Sequence, residues 1–152
     1  MSGNTRGYAL DISEHLFRLT TESLRIHSNE TRRYQTLASL VSERAGAGVT
    51  FDHHDEQTLR RHFEAVPTKG SIRIHLTLTK AGGDALIGAK RRLAKRFGTP
   101  LNIGDALSVL LLDFVAEHHA RRVLEKIMPD DLSVVEDDLV STAGSDNIIS
   151  IR

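Results

Sequence analysis

The chain has 152 residues, enough for one ordinary domain or two very small ones. A hydrophobic fraction of 39% beside 26% charged residues excludes wholesale disorder. The absence of cysteine excludes a disulfide framework, a thiolate nucleophile and cysteine-ligated zinc. Formal net charge is zero, but the charges are segregated: residues 69–96 hold eight basic side chains against one acid, Asp84, whereas residues 129–147 hold six acids and no base. Such a distribution bears on partners more than its sum does.

Residues 1–6 lack the apolar core of a signal peptide, and the longest apolar run, 109–112, is far short of a membrane span. A cytoplasmic protein with no membrane partner is expected. Residues 13–27 place Leu16, Leu19, Ser23 and Ile26 near helical spacing behind Ser13, a good N-cap. A second helix is predicted over 31–44, with Tyr34, Leu37, Ala38 and Val41 on one face, ending at Gly46-Ala47-Gly48. A short third helix over 55–65 stops at Pro67-Thr68-Lys69-Gly70.

Residues 71–78 then alternate polar and apolar, the period of a half-buried strand. From Thr79 a helix is predicted to Phe97, burying Leu86, Ala89, Leu93 and Phe97 and exposing Lys90, Arg91, Lys95 and Arg96. Gly82-Gly83 should fray its first turn, and Gly98 suits a left-handed C-cap. Asn102 and Asp105 resemble a capping box, and the helix behind them carries a wide apolar stripe from Ile103 to Val115 that can extend to Ile127 before Pro129. No internal repeat is visible. The expected fold is mainly α with one short β-ribbon: a small helical region (1–66), a β-α-α module (70–128), and an acidic, unstructured tail (129–152).

One strand cannot satisfy its own backbone, and 71–78 has no second strand of equal quality in the chain. The simplest partner is the same strand of a second copy, so a homodimer is expected. Ile72, Ile74, Leu76 and Leu78 would then cover the helices, leaving Arg73, His75 and Thr77 facing out. A two-stranded ribbon fits the major groove of B-DNA, where Arg reaches guanine and Thr or His reaches base edges.

Strand 71–78, the helix behind it, Gly98-Thr99-Pro100 and the Asn102-capped helix resemble the ribbon-helix-helix family of Arc/MetJ type, over about 50 of the 152 residues. The resemblance implies base contacts by Arg73, His75 and Thr77. It implies phosphate contacts by Lys69, Lys80, Lys95 and Arg96 and by the backbone near Leu101 and Asn102, where a helix begins. The helices are longer than the family's pattern. Residues 6–12 with the helices after them are also similar to a second, degenerate strand-helix-helix. That alternative resembles the tandem single-chain form of the family known from T-DNA border processing, and would make a monomer. Against it, Ala9 and Asp11 would face the groove, and a carboxylate beside phosphates is unfavourable.

The basic run 90–96 can equally be a solvated helix face. His53-His54 and His118-His119 are adjacent pairs that diverge on a strand or helix and chelate poorly, so no metal and no cofactor are expected. No Gly-rich phosphate loop, acid/base carboxylate pair or catalytic triad is recognisable, so no enzyme is expected. The readings left open are a transcriptional repressor, a relaxosome-type accessory factor of a plasmid or mobile element, an antitoxin whose acidic tail (130–138) holds a second protein, or a helical interaction protein without DNA.

Overall fold

The structure, a computed structural model, describes residues 5–47 and 54–127. Its elements in chain order are β1 (Thr5–Ile12), α1 (Glu14–Thr31), α2 (Leu37–Gly46), α3 (Glu56–Ala65), β2 (Ile72–Thr79), α4 (Lys80–Phe97) and α5 (Ile103–Ile127). It is mainly helical, with one two-stranded antiparallel sheet. The expected acidic tail, His53 and the glycine at 48 lie outside the described residues.

β2 finds its partner inside the chain. β1 pairs with it antiparallel over eight residue pairs, from Thr5 opposite Thr79 to Ile12 opposite Ile72. The expectation that the chain has no second strand of equal quality, and the argument that a second copy must therefore supply one, are corrected in favour of the alternative in which residues 6–12 form that strand. The region before residue 66 is likewise not purely helical. β1 was hard to see because three of its four outward positions, Gly7, Ala9 and Asp11, are poor strand formers. Its inward positions Tyr8 and Leu10 join Ile74, Leu76 and Leu78 in the core under the ribbon, Ile12 is buried opposite Ile72 at the strand end, and pairing with β2 outweighs the weak propensity.

The helices start where side chains satisfy their first amides. Ser13 accepts from the Leu16 amide and Thr79 from the Gly82 amide, each at 3.0 Å. Thr36 and Ser39 form a reciprocal capping box, as do Asn102 and Asp105. The helix predicted over 31–44 is corrected here: Arg32 turns left-handed (φ 58°), and α2 begins only after the Thr36 cap. The fraying expected at Gly82-Gly83 is absent too, since α4 runs from Lys80. A Cβ on Gly82 would stand 2.5 Å from the Ser42 hydroxyl of α2, so the glycine allows these helices to meet.

These caps reveal a repeat that the residue identities hide. N-caps Ser13 and Thr79, left-handed C-caps Arg32 and Gly98, and second N-caps Thr36 and Asn102 each stand 66 positions apart (79 less 13, 98 less 32, 102 less 36). α1 and α4 both have 18 residues. Ala9 and His75, also 66 apart, are paired directly opposite each other. The ribbon therefore has a pseudo-two-fold axis through its centre. One apolar core joins both halves, with Leu40 and Val41 from the first and Leu86, Leu93, Leu107 and Leu110 from the second.

α3 is extra to this repeat and packs against the shared core. Leu59 is buried, and Phe63 meets Phe97 edge-on at 5.8 Å. His54, just before α3, contacts the buried Asp113 at 2.9 Å, and Arg44 donates to the other oxygen of that carboxylate at 2.6 Å. His62 is hydrogen-bonded to the fully buried Ser108 at 2.7 Å. Burial lowers the His62 pKa from its ordinary 6.5, aided by nearby His54 and opposed by the Ser108 hydrogen bond. The unfolded chain thus takes up a proton near pH 6.5 that the folded chain resists, so this contribution is full above 6.5 and is lost as pH falls through the lowered value. The urea midpoint should drop on acidification below pH 6.5, and His62→Gln should flatten that part of the curve. An equal pH slope in the variant would assign the effect to another group.

The chain divides into two units, residues 1–116 and 117–152. In the second, the described residues are the last turns of α5. There His118 and His119 touch edge-on at 5.8 Å, and Val123, Leu124 and Ile127 are exposed. No described helix is long and apolar enough to cross a membrane.

Candidate nucleic-acid interface

Alternation along paired strands gives the ribbon a dry face and a wet face. The wet face carries four directly opposed pairs: Thr5 with Thr79, Gly7 with Thr77, Ala9 with His75, and Asp11 with Arg73. All eight are exposed. Arg73, His75 and Thr77 are thus brought onto one surface, with the burial of Leu76 and Leu78 fixing which way they face.

At one end of this face Arg73 grips Asp11. Its Nε donates to Oδ1 at 2.8 Å and its Nη2 to Oδ2 at 2.9 Å. The hydrogen bonds from Arg73 hold the Asp11 carboxyl below its usual 3.8, and those to Asp11 raise the guanidinium further. The acid that faces out beside Arg73 is therefore neutralised locally. The ribbon face carries no net charge, so attraction to phosphate must come from its flanks.

The flanks are basic in part. Lys69 is exposed beside Ile12, which it bridges, at the Asp11–Arg73 end. It lines a cleft of about 460 Å³ between the end of β1, residues 68–70, and the start of α5 at Asn102, Ile103 and Gly104. Leu101 precedes this turn half-buried, and Asn102 is exposed. Thr68 donates to Asp105 at 2.6 Å and fixes the cleft wall. Lys80 is exposed at the opposite end and lies 3.6 Å from Asp84, which Arg6 also approaches at 3.4 Å. Lys95 is exposed near the end of α4, whereas Arg96 is half-buried and donates to the His54 carbonyl. The grouping of Lys95 with Arg96 is thus divided: Arg96 fastens the segment before α3, while Lys95 faces solvent.

Sequence reasoning placed Asp11 on the groove side only within the tandem alternative, and it missed Thr5 and Thr79 on the ribbon and Arg32, Arg33 and Tyr34 in the α1–α2 turn. All three turn residues are exposed, Tyr34 completely. By the 66-residue repeat they stand where Gly98, Thr99 and Pro100 stand in the second half. Matching the two cap patterns, Thr36 with Ser39 and Asn102 with Asp105, was the signal that could have found them.

Among the described residues no group of three or more His, Cys, Asp or Glu side chains could hold a metal ion. Ser108 and His62 are in contact, but Ser108 is fully buried and Asp113 bonds His54 and Arg44 instead of His62. Comparison with protein-family models, curated proteins and solved structures gave no match.

Proposed function

We propose that the protein binds double-stranded DNA through the wet face of the β1–β2 ribbon, as a tandem ribbon-helix-helix protein with both halves in one chain. The observation that carries this reading is the ribbon itself. Its strands come from the two halves of a 66-residue repeat, it lies over one helical core, and it exposes Arg73, His75 and Thr77 on a surface of groove width. Lys69 and the start of α5 flank one end, suited to a phosphate as amides at a helix start are. Arg32 and Arg33, ahead of α2, serve the other half through the pseudo-two-fold axis. A repressor or a relaxosome-type accessory factor would use such a face alike. An antitoxin role would add residues 130–138, outside the described part.

The test is duplex binding over a salt series. Binding should weaken steeply with salt, and neutralising Lys69 or Lys95 should flatten the slope by roughly one unit per lost phosphate contact. Arg73→Ala should lose roughly tenfold to a hundredfold at a selected site and little on random duplex. In sedimentation equilibrium the full chain should run at its own 16.8 kDa. Salt-independent or undetectable duplex binding would return the ribbon to a purely structural role.

A further inference from the structure

The scaffold is pseudo-symmetric but its reading face is not. The pseudo-two-fold axis maps Asp11 onto Thr77 and Arg73 onto Gly7, and those two mates also face each other across the strands. One end of the face therefore carries a charged donor–acceptor pair, and the corresponding place at the other end carries only a hydroxyl and a glycine. The centre is equally unmatched, a methyl from Ala9 against an imidazole from His75.

The charged pair has capacity left over. Arg73 uses two of the five N–H groups of a guanidinium on Asp11, so three still point elsewhere. Each Asp11 oxygen accepts one hydrogen bond from Arg73 and retains a free lone pair. Both side chains are more than half exposed, at 59% and 52%. Two remaining guanidinium N–H groups beside a carboxylate acceptor match the order of groups on a G·C pair, where guanine presents acceptors at N7 and O6 and its cytosine partner a donor at N4. An A·T pair runs acceptor, donor, acceptor, so in the same pose its adenine N6 donor would meet the second N–H of Arg73 and its thymine oxygen would meet the carboxylate.

We propose that Asp11 and Arg73 act together as the specificity determinant of the ribbon, reading a G·C pair at one end only, so that the preferred duplex is not palindromic. The proposal rests on the DNA-binding reading above. It gives Asp11 a role that a generic phosphate-binding surface would not, since there a carboxylate would only repel.

The experiment is selection from random double-stranded DNA with the full chain, in parallel with Asp11→Ala, Asp11→Asn and Thr77→Ala. The native chain should enrich an asymmetric sequence with a fixed G·C pair toward one side. Asp11→Ala should reduce the preference at that pair by roughly tenfold and leave the other positions as they were, while binding to random duplex stays equal or tightens because a negative charge is gone. Asp11→Asn, which keeps one acceptor oxygen, should fall between the two. Thr77→Ala should change only the opposite side. A palindromic consensus, or an unchanged one in Asp11→Ala, overturns the proposal while leaving DNA binding intact. Failure of the native chain to retain any duplex at low salt overturns both.

Discussion

Leu76→Lys should yield a chain with no cooperative unfolding transition, and Thr77→Lys, one residue along the same strand, a chain that melts like the parent. Leu76 is 1% exposed and packs into the core beneath the ribbon, whereas Thr77 is exposed on the wet face. The first substitution removes the transfer free energy of a buried leucine, about 2–5 kcal/mol, and asks an ammonium to enter the same space. A domain of this size has about 5–15 kcal/mol in total, so the combined loss reaches the whole stability. The second places a charge in water and adds a cation to a face that lacks net charge, so duplex affinity should rise at low salt. Urea titration followed by circular dichroism separates the outcomes. A folded Leu76→Lys chain with an unchanged midpoint would mean that the strand's faces are assigned the wrong way round.

That contrast rests on the part of the fold most legible in the sequence. The strict alternation of 71–78 fixes two faces, and the apolar spacing behind it fixes the inward sides of α4 and α5, because burial acts on every second strand position and every third or fourth helix position. Gly98 and Asn102 mark the turn for local reasons of backbone conformation and capping. What could not be read was long-range. The register that sets Asp11 opposite Arg73 follows no tight hairpin turn, since three helices separate the strands. The repeat is hidden because equivalent positions share a role and not an identity: Ser13 and Thr79 both cap, Arg32 and Gly98 both turn left-handed, while Thr20 and Leu86 fill equivalent core places with different chemistry. In the candidate interface, outward direction was thus readable for Arg73, His75 and Thr77, and for Ala9 and Asp11 once residues 6–12 are taken as a strand, but not the register that sets each against its partner.

Gly70→Ala should be the most damaging glycine substitution in the described chain, and it should injure the ribbon end that holds Asp11 and Arg73. The segment before β2 is laced to the joint between β1 and α1: the Ser13 amide donates to the Thr68 carbonyl at 3.1 Å, and the Gly70 amide donates to the Asp11 carbonyl at 3.2 Å. Ser13 also donates its hydroxyl to the Pro67 carbonyl while capping α1. A Cβ on residue 70 would lie 2.4 Å from the Ser13 Cα, 2.5 Å from the Ile12 carbonyl oxygen and 2.6 Å from the Ser13 amide nitrogen. All three are backbone atoms, so no side chain can swing aside, and the strand end or the cap of α1 must move. Such overpacking costs about 1–3 kcal/mol, with the disturbed hydrogen bonds adding to it. Gly88→Ala is the control. It lies inside α4, where a new methyl would meet only the end of Arg92 at 3.5 Å. There the better helix propensity of alanine should stabilise by about 0.5–1 kcal/mol. Urea midpoints should therefore move in opposite directions, and only Gly70→Ala should also weaken binding to a selected duplex, because it shifts Asp11 against Arg73. If Gly70→Ala matches the parent in stability and in binding, the joint is looser than these contacts imply and the charged end of the ribbon is not held by it.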